Sequence, residues 1–243
     1  MTPQTIRNFL HIQNLKAYAV RMKLLLSKTN IKKRFAYANE YVNKNIDFWE
    51  QVIFTYESKF NIFGSDGRKN VWRKEGEALN PRNITHTIKH GGGNVMVWGS
   101  MSANGVENLV FVEGKMNKTD YLNILKNNFV QSAEKMGLEN GFVFVQDNDP
   151  KHSAALVKEW LLYNTKKVLP HPPQSPDLNP IEHLWAHMKT KLKDYHISGK
   201  ETLKNALMDI WNSIPADVTR NLVHSMPRRL QAVKDSKGHH TKY

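Results

Sequence analysis

A mixed β-sheet covered by helices on both faces is the fold class this sequence predicts. Three observations predict it. Short apolar runs separated by turn residues fill much of the first half, as in a strand meander. From Lys118 onward, helix-period segments alternate with short apolar runs, the pattern of strand–helix–strand units. The 243 residues, 40% hydrophobic and with six Trp, suffice to bury a core.

The elements follow in order. Thr2 and Pro3 read as an N-cap followed by Pro at the first helical position, with Ile6, Phe9 and Leu10 on one face of a short helix. Residues 29–44 read as a helix with Phe35, Ala38, Tyr41 and Val42 as its apolar stripe, and with Lys32, Lys33 and Arg34 partly on its solvated face. A domain opens near Ile46, dividing the chain into 1–45 and 46–243. Residues 51–56 and 59–63 are expected as two strands, and the Asp66-Gly67 pair as a hairpin-type turn leading into 70–73. Gly91, Gly92 and Gly93 precede an apolar strand at 95–98, with another at 109–112. No GK[ST] follows the triple glycine, so it predicts no nucleotide site.

Residues 118–135 predict a long helix with Tyr121, Ile124, Leu125 and Phe129 on one face. The run 142–145, closed by Asn, Asp and Pro, suits a strand buried on both faces. A helix at 154–162 turns Leu156, Trp160 and Leu161 inward, and 167–169 makes a last short strand. The helix from Pro180 buries Ile181, Leu184, Trp185, Met188 and Leu192. Asn179, Pro180 and Glu182 together fit a capping box at its start. Helices at 203–213 and 217–226 complete the fold, and His239-His240 reads as a tail.

Two carboxylates stand out. Asp147 ends the 142–145 strand, Glu182 opens the late helix, and 34 residues lie between them. Carboxylates brought together from different elements can hold a divalent cation, because hard cations take oxygen ligands. Each also has a plainer reading, as a strand terminator or a helix cap. Lys151 and His152 either lie near substrate phosphate or metal, or form a surface pair at a helix start.

Composition sets bounds on function. The net charge is +13, from 35 Lys+Arg against 22 Asp+Glu, and favours a polyanionic partner. The absence of Cys excludes disulfides, thiolate zinc sites and a Cys nucleophile. No apolar run approaches the roughly 20 residues of a membrane span, and the N-terminus lacks a secretory core.

QDNDPKHSA (146–154) followed by SPDLNPIEHLW (175–185) resembles the DDE-type transposases of the mariner superfamily, in the branch whose third acidic residue is glutamate. ESKFNIFGSDGRKNVWRK (57–74), GGGNVMVWGSMSANG (91–105) and PRRLQAVKDSKGHHTKY (227–243) extend the resemblance over nearly the whole chain. It implies that residues 46–243 form a ribonuclease-H-like catalytic domain. The implied activity is cut-and-paste DNA transposition, cleavage followed by strand transfer, with two Mg2+ or Mn2+ ions as cofactor. The implied partners are transposon-end and target DNA, with no membrane, in the nucleus; a homodimer is one assembly it allows.

By this resemblance Asp147 is the second catalytic carboxylate and Glu182 the third, and both are metal ligands. The first aspartate is expected just before Glu57-Ser58-Lys59, where this chain has Tyr56. A tyrosine, with its pKa near 10, offers no ready anionic oxygen at pH 7. Strand alternation sends Glu57 to the opposite face. An impaired site is therefore expected. The first helix resembles the recognition helix of a helix-turn-helix, with Gln4, Thr5 and Arg7 toward DNA. Residues 1–45 then read as an N-terminally truncated remnant of that module, with a basic linker at 16–27 and a helix. The rival reading is a non-catalytic DNA-binding protein, or relic, derived from a transposase.

Overall fold

The computed structural model describes residues 2–13, 25–62, 93–135, 137–138 and 141–243. Its sheet is built from β1 (Val52–Asn61), β2 (Asn94–Ser102), β3 (Gly105–Val112), β4 (Val143–Val145) and β5 (Lys167–Leu169), in the order β3-β2-β1-β4-β5. The first three form the antiparallel meander, while β4 and β5 run parallel to β1 and to each other. The predicted strands at 51–56 and 59–63 are in fact one. No turn residue separates them, and pairing with β2 continues unbroken from Tyr56↔Gly99 to Asn61↔Asn94. The expected turn at 64–67, the segment 70–73, Gly91, Gly92 and most of the 16–27 linker lie outside the described residues.

Helices cover both faces. On one, α2 (Lys28–Tyr41), α3 (Ile46–Glu50), α7 (Ile181–Lys191), α8 (Lys200–Asn212), α9 (Ala216–His224) and α10 (Met226–Asp235) bury Phe54, Phe60, Trp185, Trp211 and Leu230. On the other, α4 (Lys118–Ile124), α5 (Val130–Lys135) and α6 (Ala155–Asn164) enclose Ile53, Trp98, Phe129 and Phe144. Neighbours Ile53 and Phe54 thus face opposite cores, as strand alternation requires. The helix predicted over 118–135 is continuous but carries one π turn, Leu125–Phe129, where the Asn128 amide donates to Ile124 O at 3.0 Å. Helix α10 begins directly after α9, where no third terminal helix was expected. No helix among the described residues is long and apolar enough to cross a membrane.

Helix α1 (Pro3–Ile12) has the expected cap, Thr5 N donating to Thr2 Oγ1 at 3.2 Å. Its apolar residues Ile6, Phe9, Leu10 and Ile12 are all exposed. In α2 the expected solvent face is wrong in one respect: Arg34 is 0% exposed. It donates to both carboxylate oxygens of Asp177, at 2.7 Å each, and that bidentate pairing permits a charge inside the core.

Trp185 and Trp211 stack with ring centroids 5.1 Å apart on the sheet beside Gly99. A Cβ at Gly99 would lie 2.8 Å from Trp185 and 3.0 Å from Trp211. Gly99→Ala is therefore expected to lower stability by about 1–3 kcal/mol through overpacking. A urea midpoint unchanged from the native protein would show that the ring pair shifts freely.

Candidate active site

β1 and β4 run parallel with Phe54 opposite Val145. Two residues further along come Tyr56, where β1 continues paired with β2, and Asp147, just past the end of β4. Crevices at the carboxyl ends of parallel strands are where open α/β sheets bind ligands. The turn before α7 is fixed over β1, as the buried Asn179 donates from Nδ2 to Thr55 O at 3.5 Å. This corrects the capping-box expectation: no side chain caps α7. The Asn179 amide is committed to β1, and Glu182 remains turned to the crevice.

The carboxylates feel one another electrostatically. The Glu182 carboxyl is pushed up to about 7 by burial, with Lys189 opposing and the negative charge of Asp147 adding to it. No hydrogen bond among the described residues offsets this. The Tyr56 phenol is pushed up to about 12, by burial first and then by Glu182, Asp147, Glu57 and Asp149. Tyr56 is therefore neutral at pH 7, within electrostatic reach of both carboxylates. Burial opposes ionisation of Asp147, yet the hydrogen bond and charge of His152 hold its carboxyl below the ordinary range.

The loop after β4 wraps on itself. Asp147 Oδ1 accepts from Asp149 N at 3.1 Å and meets His152 Nδ1 at 2.5 Å. Asp149 Oδ1 accepts from Lys151 N at 3.0 Å, and its carbonyl accepts from Ser153 Oγ at 2.8 Å. Lys151 Nζ pairs with Asp149 at 2.8 Å and with Glu57 at 3.0 Å. His152 Nε2 meets Glu57 Oε1 at 2.9 Å. Lys151 and His152 thus face carboxylates of this chain, and His152 is buried rather than part of a surface pair. Glu57 does lie on the opposite face from Tyr56, as alternation required. Its link to Asp147 through His152 had no sequence signal.

Gln4, Thr5 and Arg7 lie far along the chain from this crevice, exposed on α1. Arg7 donates to Gln4 Oε1 at 2.8 Å and Gln4 to Asn8 Oδ1 at 2.9 Å. A cleft of about 480 Å³ runs from Asp147 along β5 to α6, lined in part by Lys158, Lys166, Lys167 and His171. Burial pushes His171 down to about 4, so the positive charge lining this cleft at pH 7 is lysine.

Among the described residues no group of three or more His, Cys, Asp or Glu could hold a metal ion. Glu182 and the Oδ2 atom of Asp147 nonetheless suit one hard cation. Both are partly buried and without a hydrogen bond among the described residues, and Mg2+ often takes only one or two protein carboxylates. Residue 56, where the resemblance led one to expect a third carboxylate, is a phenol.

A family model described as "DDE superfamily endonuclease" matches residues 51–204, and one described as "Transposase" matches residues 1–43. The Tcb2 transposase of Caenorhabditis briggsae is 39% identical over 240 residues, covering 99% of this chain and 88% of the relative. The Tc1 transposase of Caenorhabditis elegans is 39% identical over 243 residues, with the same coverage. Among solved structures, a Mos1 transposase paired-end complex with the left transposon end superposes with a TM-score of 0.86 at 21% identity, over 98% of this chain and 71% of that one. The Mos1 mariner transposase catalytic domain alone gives 0.72 at 19% identity, over 91% of this chain and 100% of that one. The fold is therefore the ribonuclease-H-like one that the motifs implied. With a family model spanning 51–204 and relatives 39% identical over 99% of this chain, the chain belongs to the DDE superfamily endonucleases, in the branch of the Tc1 transposases.

Proposed function

We propose that this transposase cleaves and joins DNA at a site built from Asp147 and Glu182, which together hold one Mg2+ or Mn2+ ion, and that Tyr56 weakens the reaction by leaving no ligand for a second. The observation that carries this reading is that Tyr56 in mid-β1, Asp147 just past β4 and Glu182 in the first turn of α7 lie within electrostatic reach of one another. When bound, the cation neutralises phosphate charge and activates the attacking oxygen. Asp147 and Glu182 hold and orient it. The Tyr56 hydroxyl can donate to a phosphate oxygen or a water but supplies no anionic oxygen. Lys158, Lys166 and Lys167 set positive charge along the adjoining cleft, where a phosphodiester backbone gains from it. Transposon ends and target DNA are the substrates this reading implies, with residues 1–45 as a remnant of the end-reading module, a homodimer as the assembly, and the nucleus as the compartment.

The experiment is cleavage of labelled transposon-end DNA with Mg2+ or Mn2+. Slow metal-dependent nicking is expected, abolished by Asp147→Ala or Glu182→Ala while DNA binding is retained. Nicking that survives both substitutions would overturn the assignment; binding with no cleavage in any metal would favour the non-catalytic rival.

DNA binding itself is expected to depend steeply on salt. A chain of net charge +13 that neutralises six or more phosphates loses about 10³-fold in affinity between roughly 50 and 200 mM salt. Little preference for the end sequence is expected, since Arg7 is bonded to Gln4 and Gln4 to Asn8. Filter binding of end and scrambled DNA across a salt series measures both; strong preference for the end would show that α1 reads bases.

A further inference from the structure

We propose that His152 is a positioning residue for Asp147: held from the far side by Glu57, it engages Oδ1 and so reserves Oδ2 for the cation. This rests on the metal-binding reading of Asp147 given above. The geometry is that of a clamp. His152 is 4% exposed, with Asp147 at one ring nitrogen and Glu57 at the other, 2.5 and 2.9 Å away. Two carboxylate partners are both satisfied only when both nitrogens donate. The ring cannot easily swing, because the Tyr121 ring lies against it with centroids 3.9 Å apart. Tyr121 OH donates to Gln146 Oε1 at 2.8 Å, and Gln146 Nε2 donates to His152 O at 3.2 Å, which closes the cage. Glu57 is itself held by Lys151 at 3.0 Å.

The outcome for Asp147 follows. Oδ1 accepts from both His152 and the Asp149 amide, which saturates it and fixes the carboxylate plane. Oδ2 has no hydrogen bond among the described residues. A carboxylate oriented in this way binds a cation without first losing rotational freedom, and outer partners of this kind are worth about 10–100-fold in metal affinity. Glu57 acts from the opposite face of β1, through His152, and touches neither substrate nor cation.

Asparagine and glutamine at position 152 separate the two bonds. In His152→Asn the amide stands where Nδ1 does and keeps a donor for Asp147. In His152→Gln it stands where Nε2 does and reaches Glu57. Both put a neutral amide in place of the ring, so their comparison isolates the bond to Asp147. Mn2+ binding to the full chain without DNA, read by electron paramagnetic resonance of free Mn2+, is expected to be about tenfold or more tighter for the Asn variant than for the Gln variant. Thermal unfolding in chelator is expected to be alike for the two. Glu57→Gln leaves the imidazole in its cage and gives a second measurement should His152→Gln fail to fold: several-fold weaker Mn2+ binding is expected. Equal affinity of the Asn and Gln variants, or no effect of Glu57→Gln, while Asp147→Asn weakens binding, overturns the positioning role and leaves the metal reading standing. Asp147→Asn binding Mn2+ as tightly as the native chain overturns both.

Discussion

Tyr56→Asp is expected to bind Mn2+ at least about tenfold more tightly than the native chain, since ligand charge count is what tunes such sites. It is also expected to nick DNA faster. The substitution puts a third carboxylate into the crevice that Asp147 and Glu182 already share, which a pair of ions about 3.5–4 Å apart requires. It carries a cost in the metal-free protein. Glu182 is already pushed up to about 7 by burial and by Asp147, so another anion beside it adds like-charge repulsion. The half-buried ring of Tyr56, packed against the core beneath α7, is lost as well. Together these are expected to destabilise the metal-free variant by about 1–3 kcal/mol. Mn2+ at a hundredfold excess over its dissociation constant returns about 2.7 kcal/mol. Thermal unfolding with and without Mn2+ should therefore show a far larger metal-dependent rise in the variant than in the native chain. If the native chain cleaves DNA as fast as Tyr56→Asp, the phenol is no defect and the site works differently.

Arg34→Ala is expected to lower stability by about 3–5 kcal/mol, the usual result of leaving a buried charge without its partner. Arg34 joins three distant segments. It donates to Asp177 in the turn that leads to Glu182, and to the carbonyls of Gly238 and His239 at 2.9 and 3.2 Å. Thr241 donates to the same Asp177 carboxylate at 2.8 Å, and Arg229 to the Asp177 carbonyl at 2.9 Å. The C-terminal His239-His240 segment is thus pinned to the core and does not behave as a tail. Gly238 is required there: φ is +88°, and any Cβ would collide with Ile31 O.

The pair also predicts a pH dependence. Burial opposes ionisation of Asp177, but Arg34 holds its carboxyl below the ordinary range. A depressed folded-state pKa stabilises above the unfolded value, near 3.9, and that contribution is lost as pH falls from there through the folded value. Urea midpoints measured from neutral pH down to pH 2 should fall steeply below about pH 4 in the native chain. Asp177→Asn should start lower and show a shallower acid limb. Parallel curves would place the acid sensitivity elsewhere.

Much of this was legible in the residues alone. β5 falls at the predicted 167–169, and the apolar run before Asp147 is a strand buried on both faces. Strand alternation correctly separated Tyr56 from Glu57. The motif spacing picked out Asp147 and Glu182 as the carboxylates on which the proposed site is built, and residue 56 as the position held by a phenol. These are statements about residue identity and local periodicity, and side-chain direction along a strand or helix is set by neighbours a few positions away. Only the tertiary structure decided where the polar groups find partners. A buried charge needs an opposite charge or a donor, and nothing local specifies where in the chain that partner lies. Arg34 reads as a solvent-facing cation until Asp177, 143 residues away, is folded against it. Asn179 fits a helix cap until Thr55 O comes within reach of its amide, and His152 fits a surface position until Glu57, 95 residues earlier, closes on its second nitrogen.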